Sequence, residues 1–392
     1  MKIALLGPTL TAACRDALGA SLTGAPDGTA QTPLAPLAAG LLAKGHEIHI
    51  ITTDPSIDTP VTFGEGAYRI TYCPLRGPPR YRARTRSMDL FEREIRFIKT
   101  ALKASAPHIV HAHWTYEFAE AAVRSSLPHV VTMHDLGWDY LRIYRDPYRA
   151  MRLLMKYRVM LRVRNLTVVA PFMAKRAWQY GYFGHVDVVP NGLMVPPRLL
   201  RACATHGPDW RPKLFTIGNP GPIKNVRASV EAFRLVRREF PGAELHLFGP
   251  GLGTTYATGE PGVVGHGNVD HGELMRRLEN EATLLIHPSR LETFGMIIAE
   301  AKARGVPVVG GENSGGVAFV CGNAGAVTTD IESPQAIANA VIALLASQDK
   351  LKEDGDRARD DAAARFDIRE VAQLYLDVYE RILSGRGGRR TQ

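Results

Sequence analysis

Leu284-Leu285-Ile286-His287-Pro288-Ser289-Arg290-Leu291-Glu292-Thr293-Phe294-Gly295-Met296-Ile297-Ile298-Ala299-Glu300-Ala301 is the stretch that decides how this chain reads. The apolar run over 282–286 is short and bounded by breakers, which predicts a buried parallel strand. Thr293 to Met296 predict a tight turn about Gly295, and 296–304 carries a helical pattern. Strand, loop and helix in that order aim the first amides of the helix past the strand end, with about half a positive charge behind them. Glu292 precedes the helix and Glu300 lies about one and a half turns into it. Carboxylates so placed accept hydrogen bonds from sugar or ribose hydroxyls. Alone, such a pair would be two solvated carboxylates. With this strand before it and Gly305-Val306-Pro307-Val308-Val309 after it, the segment reads as a clamp for a nucleotide sugar.

At 392 residues the chain exceeds what one hydrophobic core serves, so two domains are expected. Hydrophobic and charged contents of 45% and 22% are ordinary for a globular protein. Cys14, Cys73, Cys203 and Cys321 are scattered with no C-x-x-C spacing. Free thiols in a reducing compartment are expected, with neither a disulfide framework nor a cysteine metal site. The segment from Met1 to Gly7 reads as a short strand and lacks the length and cleavage site of a signal peptide. No run approaches the roughly 18 apolar residues of a membrane span. The expected location is the cytoplasm, including the inner face of the membrane.

The net charge of +9 is unevenly placed. Residues 1–200 hold 25 Lys and Arg against 15 Asp and Glu, and the remainder 23 against 24. A basic first half favours an anionic surface or substrate. Two basic stretches account for most of it. One runs through Arg76, Arg80, Arg82, Arg84, Arg86, Arg93, Arg96, Lys99 and Lys103. The other runs from Arg142 to Arg164 with Met151, Leu153, Leu154, Met155, Val159, Met160 and Leu161 interleaved. Such a helix either meets anionic lipid head groups or packs its apolar face inward. No nucleic-acid-binding motif accompanies the charge, and nucleic acid is not an expected partner.

Strand-like runs alternate with amphipathic helical stretches throughout, the pattern of parallel α/β domains. Strands are expected at 2–6, 47–52, 108–112, 129–133, 166–169 and 186–189, then near 213–217, 243–248, 282–286 and 306–309. Helices are expected at 35–44, 225–239, 271–279, 296–304, 334–347 and 368–384. Pro190-Asn191-Gly192 and Pro196-Pro197 punctuate the middle. The expected division is 1–197, 198–367 and a final amphipathic helix over 368–385.

The second half opens with Leu214-Phe215-Thr216-Ile217-Gly218-Asn219-Pro220-Gly221-Pro222-Ile223-Lys224-Asn225. This is a strand, a Gly/Pro loop, and a lysine at the start of a helix. Backbone amides and one ammonium there suit a diphosphate. Together with the Glu292 turn, two helix starts at the C-terminal ends of neighbouring strands would converge on one crevice. That arrangement neutralises a diphosphate without a metal ion, and none is expected. Asp354-Gly355-Asp356 has the spacing of a metal-binding D-x-D, but it sits in a charged run away from any predicted strand end and reads as solvated surface.

These segments resemble a retaining, GT4-type (family 4, group 1) glycosyltransferase of the GT-B fold: two Rossmann-like α/β/α domains with parallel sheets facing a central cleft, and a C-terminal helix crossing back to the N-terminal domain. The resemblance runs through Ala35 to Ile48, Ile109-Val110-His111-Ala112-His113-Trp114, Val130-Val131-Thr132-Met133-His134-Asp135, Val188 to Gly192 and the last helix, and most specifically through Pro288 to Ala301 and Gly305 to Val308. It implies a nucleotide-diphosphate sugar as donor substrate, bound by 198–367, and an acceptor bound by 1–197. It implies that Glu300 holds the ribose hydroxyls. Glu292, with the amides of Phe294, Gly295 and Met296, would hold the transferred sugar and the diphosphate, and Lys224 would pair with the phosphates beside Gly218. His134 would face the donor sugar, with Glu292 as its catalytic counterpart. Gly28 occupies the place of the glycine-rich acceptor-side loop, while His113 and Trp114 either line an acceptor cleft or cap a strand. The chain departs from the family at Asn219, where an arginine is usual. An amide cannot fork onto phosphate oxygens as a guanidinium does. Either Arg227 supplies that charge or donor use is altered. The implied activity is hexosyl transfer with retention, in polysaccharide or glycoconjugate assembly, onto an acceptor that the basic first half would suit if anionic or lipid-linked. Epimerases, phosphorylases and non-catalytic sugar-nucleotide binders share the fold; Glu300 followed by Ala301 favours the transferase.

Overall fold

The computed structural model describes residues 1–19, 21–30, 32–77, 85–197 and 210–385. The chain divides into two compact units, the first made of Met1–Gly192 and the segment from Ile368 onward, the second of Leu193–Asp367. The first junction thus falls five residues before the expected 197/198.

The first unit is built on eight strands: β1 (Lys2–Leu6), β2 (Glu47–Asp54), β3 (Val61–Phe63), β4 (Tyr68–Pro74), β5 (Ile109–His113), β6 (His129–Met133), β7 (Leu166–Val168) and β8 (Val186–Val188). Their order is β3-β4-β2-β1-β5-β6-β7-β8, parallel except where β3 runs against β4. Ile3, Ala4, Leu5 and Leu6 are fully buried, as expected of a central parallel strand covered by helices on both faces. The sequence reading did not anticipate β3 and β4. The helix Ile368–Leu383 joins this unit by lying on the helix Leu34–Ala43. Gly40 makes the approach possible, because a Cβ there would stand 2.9 Å from Ile368 Cγ1 and 3.0 Å from Ala372 Cβ. Tyr379 Oη then reaches His111 Nδ1 at 2.7 Å.

Each basic stretch contains members with a structural role. Arg76 bonds the buried carboxylate of Glu94 at 2.6 Å on the helix Glu92–Ser105; Arg80, Arg82 and Arg84 lie outside the described residues. The helix Pro147–Met160 starts where Asp146 accepts the Arg149 N–H, with proline in its first turn. Its Leu153, Met155, Val159 and Met160 are buried, so they form an inward face and offer nothing to a lipid. Lys156 is itself wholly buried, 2.5 Å from Asp135.

The second unit carries six parallel strands: β9 (Lys213–Ile217), β10 (Glu244–Phe248), β11 (Val263–Gly267), β12 (Leu284–His287), β13 (Val308–Gly311) and β14 (Ala326–Thr329). Their order is β11-β10-β9-β12-β13-β14. β9 is the turning point: the chain goes first to one side of it and then to the other. Crevices of such sheets open at this point, beyond the C-terminal ends of the two strands that part. The D-x-D run is a correction. It lies within the helix Gln348–Phe366, and Asp354 and Gly355 are buried instead of solvated. Gly355 is needed there, since a Cβ would come within 2.6 Å of the Gly305 carbonyl. Cys14, Cys73 and Cys321 are free and buried, and Cys203 lies outside the described residues.

Candidate active site

The loops that leave β9 and β12, the strands that part, are stitched together. Gly218 N–H donates to Phe248 C=O at 2.9 Å. The side-chain oxygen of Asn219 accepts the Gly221 N–H at 2.8 Å, so the residue that replaces the usual arginine shapes the loop. Arg290 N–H donates to Ile223 C=O at 2.8 Å, and Asn225, at φ 47°, donates its side-chain amide to Ile331 C=O and opens the helix Val226–Glu239. This framework sets Lys224 Nζ 2.5 Å from Glu292 Oε1. The same oxygen lies 3.2 Å from Nε2 of His287, the buried last residue of β12. Burial pushes the Glu292 carboxyl up, but the His287 hydrogen bond and the Lys224 ammonium outweigh it and hold the group well below the usual carboxylate range.

After Glu292 the chain turns at Gly295, whose φ of 96° suits glycine, into the helix Met296–Ala303. Its first amides, at Met296 and Ile297, lack the carbonyl one turn back that a helix interior supplies. Phe294 has its ring in the core, edge-on to Phe319 and Phe366, so only its backbone can serve a ligand. Glu300 Oε1 sits 2.9 Å from His271 Nε2. The Glu292 turn is backed by Ser314-Gly315-Gly316: Glu292 N–H donates to Ser314 C=O and Gly316 N–H to Glu292 C=O. A Cβ at Gly316 would lie 2.4 Å from the Thr293 carbonyl oxygen. Arg227, by contrast, is 78% exposed and bonds Glu231 four residues along its helix. The structure therefore gathers Gly218, Asn219, Lys224 and Glu292 at one place and gives Arg227 a surface ion pair.

In the first unit, His113 ends β5 and His134 directly follows the neighbouring β6, with His113 Nδ1 2.9 Å from His134 Nε2 and the rings stacked at 5.1 Å. Burial pushes the His134 imidazole down to about 4 and His111 to about 3, so both are neutral near pH 7. Trp114 packs at 6.0 Å from His134 and holds the left-handed backbone region at φ 71°, a strained position for a bulky side chain. Gly28 also has positive φ; its N–H donates to Asp54 at 2.8 Å, and a Cβ there would meet the Thr9 carbonyl at 2.0 Å. Its backbone thus packs closely against the loop after β1. Sequence reasoning assigned no part to His287, His271, His111 or the Ser314–Gly316 turn. The signal for His287 was in view, a polar residue ending an apolar strand. His271 and Gly316 are distant in sequence from what they touch.

Two α/β units, one on a mainly parallel and one on a wholly parallel sheet, make a GT-B architecture, the fold of a class of glycosyltransferases. The family description Glycosyltransferase Family 4 matches residues 32–194, and Glycosyl transferases group 1 matches residues 211–347. The chain belongs to this family of glycosyltransferases. Glycogen synthase from Mycobacterium tuberculosis is 28% identical over 190 residues, 46% of this chain and 44% of that protein. D-inositol 3-phosphate glycosyltransferase from Xylanimonas cellulosilytica is 37% identical over 113 residues, 28% and 26% of the two chains. The chain thus matches less than half the length of these relatives. Sucrose-phosphate synthase from Thermosynechococcus elongatus superposes with a TM-score of 0.73 at 19% identity, covering 98% of this chain and 99% of that one. Anabaena HepE, solved in complex with UDP-glucose, superposes at 0.65 with 15% identity over 97% and 99%.

Proposed function

We propose that this protein transfers a hexosyl unit from a nucleotide-diphosphate sugar to an acceptor hydroxyl, with retention at the anomeric carbon. The observation that carries the reading is the Lys224–Glu292 contact, made where β9 and β12 part and next to the first amides of two helices. In this reading the departing diphosphate is stabilised by Lys224 and by the amides after Gly295, as charge develops on it. The bond from the anomeric carbon to the diphosphate breaks, and the acceptor oxygen forms its new bond on the same face. The acceptor proton passes to the leaving phosphate. Glu292 accepts from the sugar hydroxyls and Glu300 from the ribose. HepE's complex with UDP-glucose makes a UDP-sugar the first donor to try.

A lipid-linked acceptor is part of the proposal. Leu154 and Leu161 remain exposed beside Arg158 and Arg162, and Trp178 and Phe183 are exposed in the segment whose Gly181 abuts Leu161. Exposed aliphatic and aromatic side chains with basic residues nearby in the chain suit an anionic bilayer. The experiment is a thermal-shift screen of nucleotide sugars followed by product analysis with the one that stabilises. A new glycoside supports transfer, and an isomerised sugar nucleotide points to an epimerase. Binding without turnover points to a non-catalytic protein. A donor at 100 times its Kd stabilises by about 2.7 kcal/mol.

A further inference from the structure

Lys224 and His287 share one oxygen of Glu292, at 2.5 and 3.2 Å, and neither bond falls on Oε2. The two donors differ in kind. Lys224 sits in a loop on a flexible stem, with 30% of its side chain exposed. His287 is 1% exposed at the end of a central strand, and its Nδ1 is buried with no hydrogen-bond partner among the described residues. Among the described residues the ring's one hydrogen bond is to Glu292, and its burial restricts the ring.

We infer that His287 is a positioning residue for Glu292, holding the carboxylate in place when Lys224 is drawn away to a diphosphate. A diphosphate carries more charge than one carboxylate and competes with Glu292 for the ammonium. Released from Lys224 and facing a new anion, Glu292 keeps its orientation only through a donor that does not move. The free Oε2 is then the atom presented to a sugar hydroxyl. The inference rests on the proposed donor site and adds a division of labour to it: Lys224 reads the phosphates, and the His287–Glu292 pair reads the sugar.

The test compares calorimetric binding of UDP and UDP-glucose, or of another nucleoside diphosphate and its sugar conjugate if the screen selects one. His287→Gln keeps a donor near the position of Nε2, and His287→Asn is polar but too short. In His287→Asn, nucleotide-sugar affinity should fall about tenfold, the effect of one charge-assisted hydrogen bond. Affinity for the bare diphosphate should stay within about twofold, since Lys224 is untouched. His287→Gln should restore most of the loss. Lys224→Ala should weaken both ligands. If His287→Asn weakens both ligands equally, or if Gln and Asn behave alike, His287 is merely structural and the inference is overturned while the donor site stands. If the unaltered protein binds neither ligand of any pair, the proposed function and the inference both fall.

Discussion

Lys224 Nζ and Glu292 Oε1 meet at 2.5 Å although 68 positions separate them in the chain. They meet because β9 and β12 are hydrogen-bonded neighbours whose connections depart to opposite sides of the sheet. The fold delivers one cation and one carboxylate to the same crevice, each carried by a loop that opens a helix.

Removing either partner should abolish most transfer and little stability. Lys224→Ala and Glu292→Ala should each lower the transfer rate by about 10²–10³-fold, the usual effect of deleting one electrostatic stabiliser. The pair is partly exposed, so its net contribution to folding should be below about 1 kcal/mol. Initial rates of product formation, with melting temperature as control, check both statements.

Arg227→Ala should behave differently. Its guanidinium bonds Glu231 four residues along an exposed helix face, where solvent screens the pair. Donor affinity in this variant should match the unaltered protein within about twofold. A loss as large as that of Lys224→Ala would assign it the phosphate-binding role that an arginine at position 219 would have had.

Gly316→Ala should disturb the site without touching a ligand. The new methyl would press on the Thr293 carbonyl oxygen, and strand and turn backbone cannot yield as a side chain would. We expect a stability cost of roughly 1–3 kcal/mol and weaker nucleotide-sugar binding, measured by denaturant unfolding and calorimetry. Unchanged binding would show that the Glu292 turn does not depend on this contact.

Acid should loosen the first unit before the Glu292 site. Burial pushes His111 and His134 from 6.5 to about 3 and about 4, so the unfolded chain binds their protons more readily. Their contribution is complete above pH 6.5 and is lost as pH falls toward about 4. Glu292, held below its ordinary 4.5, keeps its contribution until pH drops under that value. Urea midpoints should therefore decline through the window from 6.5 to about 4, and a flat profile there would contradict the burial argument.

Treatment with EDTA should leave transfer unchanged, because ammonium and amide groups are assigned the diphosphate charge. Activity lost to the chelator and restored by a divalent cation would reassign that charge to a metal.

The local frame of the candidate site was legible in the sequence: an apolar strand, a glycine with a special backbone angle, and a helix beginning at Met296. It also yielded the central strands, since buried parallel strands are uninterrupted apolar runs. It hid β11 and β14, which lie at sheet edges and bury too little to show such a run. It hid the β3–β4 hairpin, where Thr71 and Tyr72 are buried polar groups satisfied by His49 and Thr11. The basic stretch around Leu153 and Lys156 read equally as lipid-facing or inward; packing turns Leu153, Met155, Val159 and Met160 inward and pairs buried Lys156 with Asp135, while Leu154 and Leu161 stay exposed. His287, His271 and Gly316 could not be assigned, since each acts on a residue that only the fold brings near.

The most direct measurement is calorimetric titration of the full chain with a panel of UDP-, ADP- and GDP-sugars, repeated on Lys224→Ala and Glu292→Ala. The account predicts that at least one donor binds the unaltered protein and that both substitutions weaken it at least about tenfold. No binding across the panel, or equal affinity in all three proteins, would contradict it.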